Sequence, residues 1–408
     1  MGFEAEKALE DIYVMHTFGR KPVEFVRGEG MRLYDDEGRE YLDFLSGIGV
    51  VSLGHCHPAL VGAIQEQAQR LIHVSNYYYI EGRGRLAQRL SELLNAEEGP
   101  DAAPWQTFFA NSGAEANECA IKLARLYART RSGQPDRPCP KRLIVTLQRS
   151  FHGRTLATLA ATAQPVKQEI FQPLPDGFIA VPANDEGALR QLFEQRGDEI
   201  CAILLEPVQG ECGVYPCSRD FLQEARRLTR AHDALLMMDE VQCGMFRCGT
   251  RPFAFQHFGL LPDVVTMAKG IAGGVPMGAC AARQAVAAVF EPGVHGSTFG
   301  GSNLAVAAAN CVLDTVQAEG LALNAAQVGA YLKERLSSLP AAVEVRGLGL
   351  MAAVDLAEGC DANDIVLQAL RAGLVLNATG PRTLRFLPPL ICSREDVDAM
   401  IETLEGLL

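Results

Sequence analysis

Between residues 106 and 283 the chain alternates short apolar runs with stretches whose apolar residues recur every three or four positions. The uninterrupted runs predict strands at "QTFFANSG", "RLIVTLQ", "GFIAVP", "EICAILLEP", "ALLMMDEV", "DVVTMAK" and "GACAAR". The periodic stretches predict helices at "AEANECAIKLARLYART", "DEGALRQLFEQRG" and "SRDFLQEARRLTRAH". Strands apolar on both faces and separated by helices call for a mostly parallel sheet covered on both sides, an α/β architecture. The flanks differ. "VEFVRGEGMRLYDDEGREYLDF" alternates polar and apolar residues around glycine turns, which predicts a small antiparallel meander. The last hundred residues open with one long helical pattern, "NLAVAAANCVLDTVQAEGLALNAAQVGAYLKERLSSL". Strands at "GLMAAVDL" and "TLRFLPP" and a closing helix at "EDVDAMIETLEGLL" follow. The expectation is a large α/β domain over residues 60–302 and a smaller α+β domain built from residues 1–59 and 303–408.

Composition narrows the function classes. At 408 residues and 48% hydrophobic, the chain can bury a large core. A formal net charge of −12 argues against nucleic acid, whose binding needs basic surface to displace counterions, and against a polybasic membrane patch. No apolar run reaches the roughly 18 residues of a membrane span, so no membrane partner is expected. The opening "MGFEAEKALEDIYV" lacks a basic start followed by an apolar block, and the expected location is the cytoplasm. Twelve cysteines lie scattered in apolar and helical stretches, as reduced thiols do, without the CxxC pairs of a zinc ribbon. His55 and His57 in "GHCHP" have no further ligands at metal spacing, and Pro58 fits the first position of a helix, so no metal is expected.

Of seven lysines, only Lys269 in "VVTMAKGIAGG" follows an apolar run and precedes several glycines. It is not a Walker lysine, because no lysine in the chain directly follows a glycine. "GLGLMA" matches a loose dinucleotide pattern but leads into an alternating strand, without the helix start that would hold a pyrophosphate. Ligands of an open α/β sheet gather outside the carboxyl ends of its strands. There Asn111-Ser112-Gly113-Ala114 precede a helix, either as an anion cradle or as an ordinary strand-to-helix turn. Asp239 and Glu240 end an apolar strand, and an acid so placed needs a partner if buried. A lysine desolvated at the next strand end becomes nucleophilic. Lysine, aspartate and anion cradle together are the set that pyridoxal phosphate uses.

These residues carry a resemblance that spans nearly the whole chain. "LGHCHPALVGAI", "HVSNYYY", "NSGAEANECAIKLAR", "SFHGRT", "EPVQGE", "MMDEVQCGM", "PDVVTMAKGIAGGVPMGA", "GSTFGGSNLA", "RGLGLM" and "LRFLPPL" resemble the subgroup III (class-III) aminotransferases, pyridoxal-phosphate enzymes of fold type I, and their acetylornithine aminotransferase branch. The resemblance implies an aspartate aminotransferase-like fold and a homodimer with shared active sites. Lys269 would bond the cofactor covalently, Asp239 would pair with the pyridine nitrogen and Gln242 with the ring hydroxyl. Phe151 and Val241 would enclose the ring. Ser112, Gly113 and Ala114 would hold the phosphate, joined by Thr298 from the partner chain. Arg154 would take a substrate carboxylate, and Arg385 would take the α-carboxylate of glutamate. Glu211 would cover Arg385 when the other substrate is bound; a structural salt bridge is the alternative for that pair. Ser75, Asn76 and Tyr77 would stand at the substrate entrance, with interface packing as the alternative for the tyrosines. The implied reaction moves the δ-amine of N-acetylornithine to 2-oxoglutarate, giving glutamate, within arginine biosynthesis. The alternatives are the sibling activities on succinylornithine, succinyl-diaminopimelate, ornithine or 4-aminobutyrate. A non-catalytic homologue would ordinarily have lost Lys269 or Asp239, and both are present. Three departures lie near the site: Phe246 and Ala272 stand where glycine is common, and Cys212 stands where a second glycine is common.

Overall fold

A computed structural model describes residues 2–99, 101–133 and 139–408. Its centre is a seven-stranded sheet in the order Trp105–Ala110, Gly278–Arg283, Val264–Met267, Leu235–Asp239, Ile200–Leu205, Leu143–Leu147, Phe178–Val181. All seven fall on the predicted apolar runs. Gly278–Arg283 runs antiparallel to both neighbours, and the other four pairings are parallel. Strands Leu143–Leu147, Ile200–Leu205 and Leu235–Asp239 are buried at every position, which is why they lack polar alternation. Helix Gly113–Arg131 covers the sheet with Ala116, Ala120, Leu123 and Ala124. Helices Glu186–Arg196 and Arg219–Ala231 occupy the predicted positions. The sheet delivers the residues after Ala110, Leu147, Leu205, Asp239 and Met267 to one edge.

The flanking segments form two smaller sheets. Strands Phe25–Glu29, Arg32–Asp35 and Glu40–Asp43 make the expected meander, and Leu374–Val375 joins it in parallel, so one sheet takes strands from both ends of the chain. Met351–Leu356 pairs antiparallel with Ala342–Leu348 and with Thr383–Phe386. "GLGLMA" is the turn of that hairpin, with Gly349 in the left-handed region at φ 53°. The single long helical pattern after residue 303 is two helices, Asn303–Ala318 and Leu321–Ser337. Gly320 separates them at φ 65°, a conformation that ends a right-handed helix and that glycine adopts without a Cβ clash. Helix Pro58–Arg70 begins at the expected proline, while helices Phe3–Tyr13 and Arg83–Leu94 had no counterpart in the sequence reading. Among the described residues, no helix is long and apolar enough to cross a membrane.

One glycine controls the approach of two strand ends. A Cβ on Gly278 would stand 2.2 Å from the Ser112 carbonyl oxygen, and the atom it meets is backbone. Gly278→Ala therefore forces the start of helix Gly113–Arg131 aside and destabilises the fold by about 1–3 kcal/mol. Gly62→Ala, inside a helix with nothing within 4 Å of its Cβ, has the opposite sign. Thermal unfolding of the two variants beside the parent checks both directions.

Candidate active site

A cavity of about 450 Å³ opens at the carboxyl ends of the parallel strands. Ser112, Gly113 and Ala114 line it at the start of helix Gly113–Arg131, where unpaired backbone N–H groups and the positive helix end attract an anion. The Ser112 hydroxyl caps the helix by accepting from Glu115 N at 3.2 Å. A Cβ on Gly113 would lie 2.7 Å from the Val241 Cγ1, so glycine there lets the turn press against Val241. Val241 and Phe151 both line the cavity.

Asp239 is 3% exposed, at the end of its strand. Its Oδ1 accepts from Val241 N at 3.0 Å, and its Oδ2 from Asn117 Nδ2 at 2.7 Å and His152 Nδ1 at 2.8 Å. Asn117 also donates to His152 O at 2.8 Å and accepts from Thr266 Oγ1 at 2.7 Å. The carboxylate is thus held by a helix, a loop and the turn after its own strand while it lines the cavity.

Lys269 lines the same cavity, two residues beyond strand Val264–Met267. Burial pushes its amine below the ordinary lysine range, offset in part by Glu211. It has no carboxylate at ion-pair distance among the described residues. Its backbone has φ 48°, a sparsely populated conformation for a residue with a Cβ, of the kind that gathers at functional sites.

Next to the lysine, Arg385 is 1% exposed and Glu211 forms its ion pair, Nη1 to Oε1 at 2.6 Å. Gln242 joins both, donating to Glu211 Oε1 at 3.0 Å and accepting from Arg385 Nη1 at 3.1 Å. Arg385 is further held by Asn377 Oδ1 at 3.0 Å and Gly210 O at 3.1 Å. Burial alone would raise the Glu211 carboxyl, but Arg385, Lys269 and the hydrogen bonds overcome it and draw the pKa down to about 2. Glu206, at the end of strand Ile200–Leu205, behaves oppositely: burial pushes it up to about 7. It accepts from Phe151 N at 2.9 Å and Gly210 N at 3.1 Å, joining the loop that carries Phe151 to the loop that carries Glu211. Glu240 faces away into the core, where burial also raises it to about 7 and the amides of Ala254 and Phe255 hold it at 2.9 and 2.8 Å.

Four expected residues lie elsewhere in this chain. Thr298 is exposed on the loop that follows Gly296 and does not line the cavity. Asn76 joins that loop, its Nδ2 donating to Ser297 O at 2.8 Å and Gly300 O at 3.1 Å, while Tyr77 N donates to Ser75 Oγ at 3.1 Å. Arg154 stands at the cavity mouth, its guanidinium 5.5 Å from the Phe151 ring centroid. Of the departures, Phe246 adopts φ 65°, a glycine-like conformation costing about 1–2 kcal/mol, and donates its N–H to Pro252 O at 3.0 Å. Ala272 is fully buried, and Cys212 lies against Gln209. His55 and His57 meet Asp43 at 2.7 Å and Glu319 at 3.1 Å.

Sequence reasoning missed Asn117, His152 and Glu206. Asn117 did leave a signal, as an amide on the otherwise apolar face of Ala116, Cys119 and Ala120. Taken together, the residues fit pyridoxal phosphate. A helix start lined by a glycine too close to Val241 for any Cβ suits the phosphate, a buried acid facing the cavity suits the ring nitrogen, and an unpaired, desolvated amine suits the aldehyde.

Residues 15–408 match the family model described as aminotransferase class-III. The chain is 49% identical over 400 residues to the acetylornithine aminotransferase of Gloeobacter violaceus, covering 97% of this chain and 95% of the relative. It is 45% identical over 396 residues to that of Aquifex aeolicus, covering 97% and 100%. Among solved structures it is similar to the ornithine aminotransferase of Toxoplasma gondii (TM-score 0.91, 31% identity, 100% and 96% covered). It is also similar to the acetylornithine aminotransferase of Elizabethkingia anophelis (TM-score 0.85, 31% identity, 100% and 98% covered).

The depressed Glu211 makes the ion pair sensitive to acid. A carboxyl lowered from 4.5 to about 2 in the folded chain adds stability that is present above pH 4.5 and lost as the pH falls towards 2. Glu211→Gln is accordingly less stable than the parent at pH 7, and the gap closes through that window. Denaturant midpoints of both proteins at pH 7, 4 and 3 measure it.

Proposed function

We propose, on the premise that this chain belongs to the class-III aminotransferases, that it moves the δ-amine of N-acetylornithine to 2-oxoglutarate. The products are N-acetylglutamate semialdehyde and glutamate, a step of arginine biosynthesis. The observation that carries this reading is the Glu211–Arg385 ion pair at 2.6 Å beside Lys269. The two substrates differ by one carboxylate near the reacting carbon. An arginine left open would draw the wrong end of the donor, whereas one closed by a neighbouring glutamate is available only when a second carboxylate displaces it. Gln242 holds both partners, so the switch has a fixed resting position.

Bound pyridoxal phosphate supplies an aldehyde that takes up the amine and an electron-withdrawing pyridine ring. Asp239, fixed by three donors, would pair with the ring nitrogen in this reading. Phe151 and Val241, which line the cavity, would bracket the ring, and Ser112, Gly113 and Ala114 would hold the phosphate. The Lys269 amine is the group able to take a proton from the donor carbon and return it, because burial favours its neutral form. Arg154 receives the α-carboxylate of N-acetylornithine or the side-chain carboxylate of glutamate.

The working form in this reading is a homodimer. Thr298 of the partner subunit completes the phosphate site, and Ser75, Asn76 and Tyr77 border the substrate entrance. The exposure of Tyr77, Tyr79 and Phe299, at 94%, 103% and 62%, supports a covering partner there. The same reading divides the chain into a cofactor-holding domain over 60–302 and a smaller one over 1–59 and 303–408. It locates the protein in the cytoplasm, in keeping with twelve free cysteines.

A panel of amine donors with 2-oxoglutarate tests the substrate. N-acetylornithine gives the highest kcat/KM, and equal or faster turnover of unacylated ornithine would overturn the choice. Lys269→Ala abolishes turnover of every donor, by at least about a thousandfold if the amine is both anchor and proton carrier; single-turnover absorbance of the purified variant reads this directly.

A further inference from the structure

A covered arginine can be uncovered and reused only if something other than its cover holds it. Glu211 and Gln242 line the cavity and bond to a single nitrogen of Arg385, Nη1, at 2.6 and 3.1 Å, with Gly210 O on the same atom at 3.1 Å. The one Nε hydrogen goes elsewhere, to Asn377 Oδ1 at 3.0 Å. Asn377 is a rigidly mounted acceptor. It opens strand Asn377–Gly380 and is the Cα partner of Arg385 on strand Thr383–Phe386. Only Leu376 separates it from Leu374–Val375, which pairs with the other small sheet, so both sheets fix its backbone. The Glu211 backbone is fixed too. Arg385 Nη1 holds Gly210 O on one flank, and Arg346 Nε holds Gly213 O at 2.7 Å on the other. Arg346 is itself clamped by Asp355 at 2.7 and 2.9 Å. The part left free to move is the Glu211 side chain, 25% exposed against 1% for that of Arg385.

We propose that Asn377 is a positioning residue for Arg385, keeping the guanidinium in one orientation while Glu211 gives way to a substrate carboxylate. The proposal rests on the reading of Arg385 as the site for the α-carboxylate of glutamate. With Nε taken by Asn377, the edge left to a carboxylate is the one between Nη1 and Nη2, on the Glu211 side. The incoming group then meets a fork of fixed direction. Without the asparagine oxygen the buried Nε–H has no acceptor, and the guanidinium turns away from that direction to find one. The half-reaction of N-acetylornithine leaves Glu211 on Arg385 and does not draw on this support.

The test follows cofactor absorbance in single half-reactions of the pyridoxal-phosphate-loaded enzyme, with glutamate or N-acetylornithine as amine donor. Asn377→Leu raises the half-saturating glutamate concentration about tenfold, the scale of one lost bond to a charged group, and leaves the limiting rate within about threefold. Both constants for N-acetylornithine stay within about twofold of the parent. Asn377→Ala removes the same acceptor without added bulk and gives the same pattern where the leucine disturbs folding. Equal losses with both donors would show a general packing role and overturn the proposal, as would an unchanged glutamate half-reaction. Arg385→Gln tests the underlying reading separately. If it leaves glutamate unaffected, the carboxylate role of Arg385 fails; if it impairs glutamate and Asn377→Leu does not, Asn377 alone is refuted. Should the parent not accept N-acetylornithine, the donor reading fails, and an ω-amine donor that it does accept serves as the control.

Discussion

The Asp239 carboxylate is the point on which the site hangs. An acid at the end of a strand buried on every side is tolerable only with its oxygens satisfied, and the three donors come from three separate parts of the chain. Asn117 reaches it from helix Gly113–Arg131, so the helix whose first turn lines the cavity is keyed to the acid. His152 comes from the loop that carries Phe151 and Arg154. Thr266, one strand over, fixes Asn117 and precedes Lys269 by three residues. One buried carboxylate thus ties together the start of helix Gly113–Arg131, the loop of Phe151 and Arg154, and the strand that leads to Lys269.

Around that anchor the electrostatics divide into closed and open charges. Glu211, Arg385 and Gln242 satisfy one another at 2.6–3.1 Å, so the arginine is stored in a covered state. Lys269 and Arg154 have no such partner among the described residues. On an acidic protein, cations without a carboxylate partner at one cavity favour an anion there, and the low local dielectric strengthens the attraction. Glu206 couples the two halves mechanically, holding the Phe151 amide with one oxygen and the Gly210 amide with the other.

Much of this was legible in the sequence. Seven strands and three helices of the central region lie where the apolar runs and the 3.6-residue period put them, because burial on both faces leaves a strand no room for polar residues. The chemistry-bearing residues at the strand ends were legible for the same reason: Asp239 and Lys269 interrupt apolar runs where a fold without a ligand would have no use for them. The break at Gly320 was not, since a glycine in a helical pattern is compatible with both a continuous and a broken helix until the packing demands a reversal. His152 and Glu206 also escaped notice. Their meaning lies in bonds to residues 87 and 55 positions away, and nothing local distinguishes them from a loop histidine and a strand-end acid.

The sequence by itself determined the architecture and singled out Lys269 and Asp239, because hydrophobic periodicity is local and because the match to the class-III aminotransferases runs through nearly all of the chain. Only the tertiary structure decided which charges are paired. It closed Glu211 on Arg385 across 174 positions, gathered Asn117 and His152 onto Asp239, and set Asn76 against Ser297. Pairing depends on distance in space and on how far water is excluded, and neither quantity is written in the order of residues along the chain.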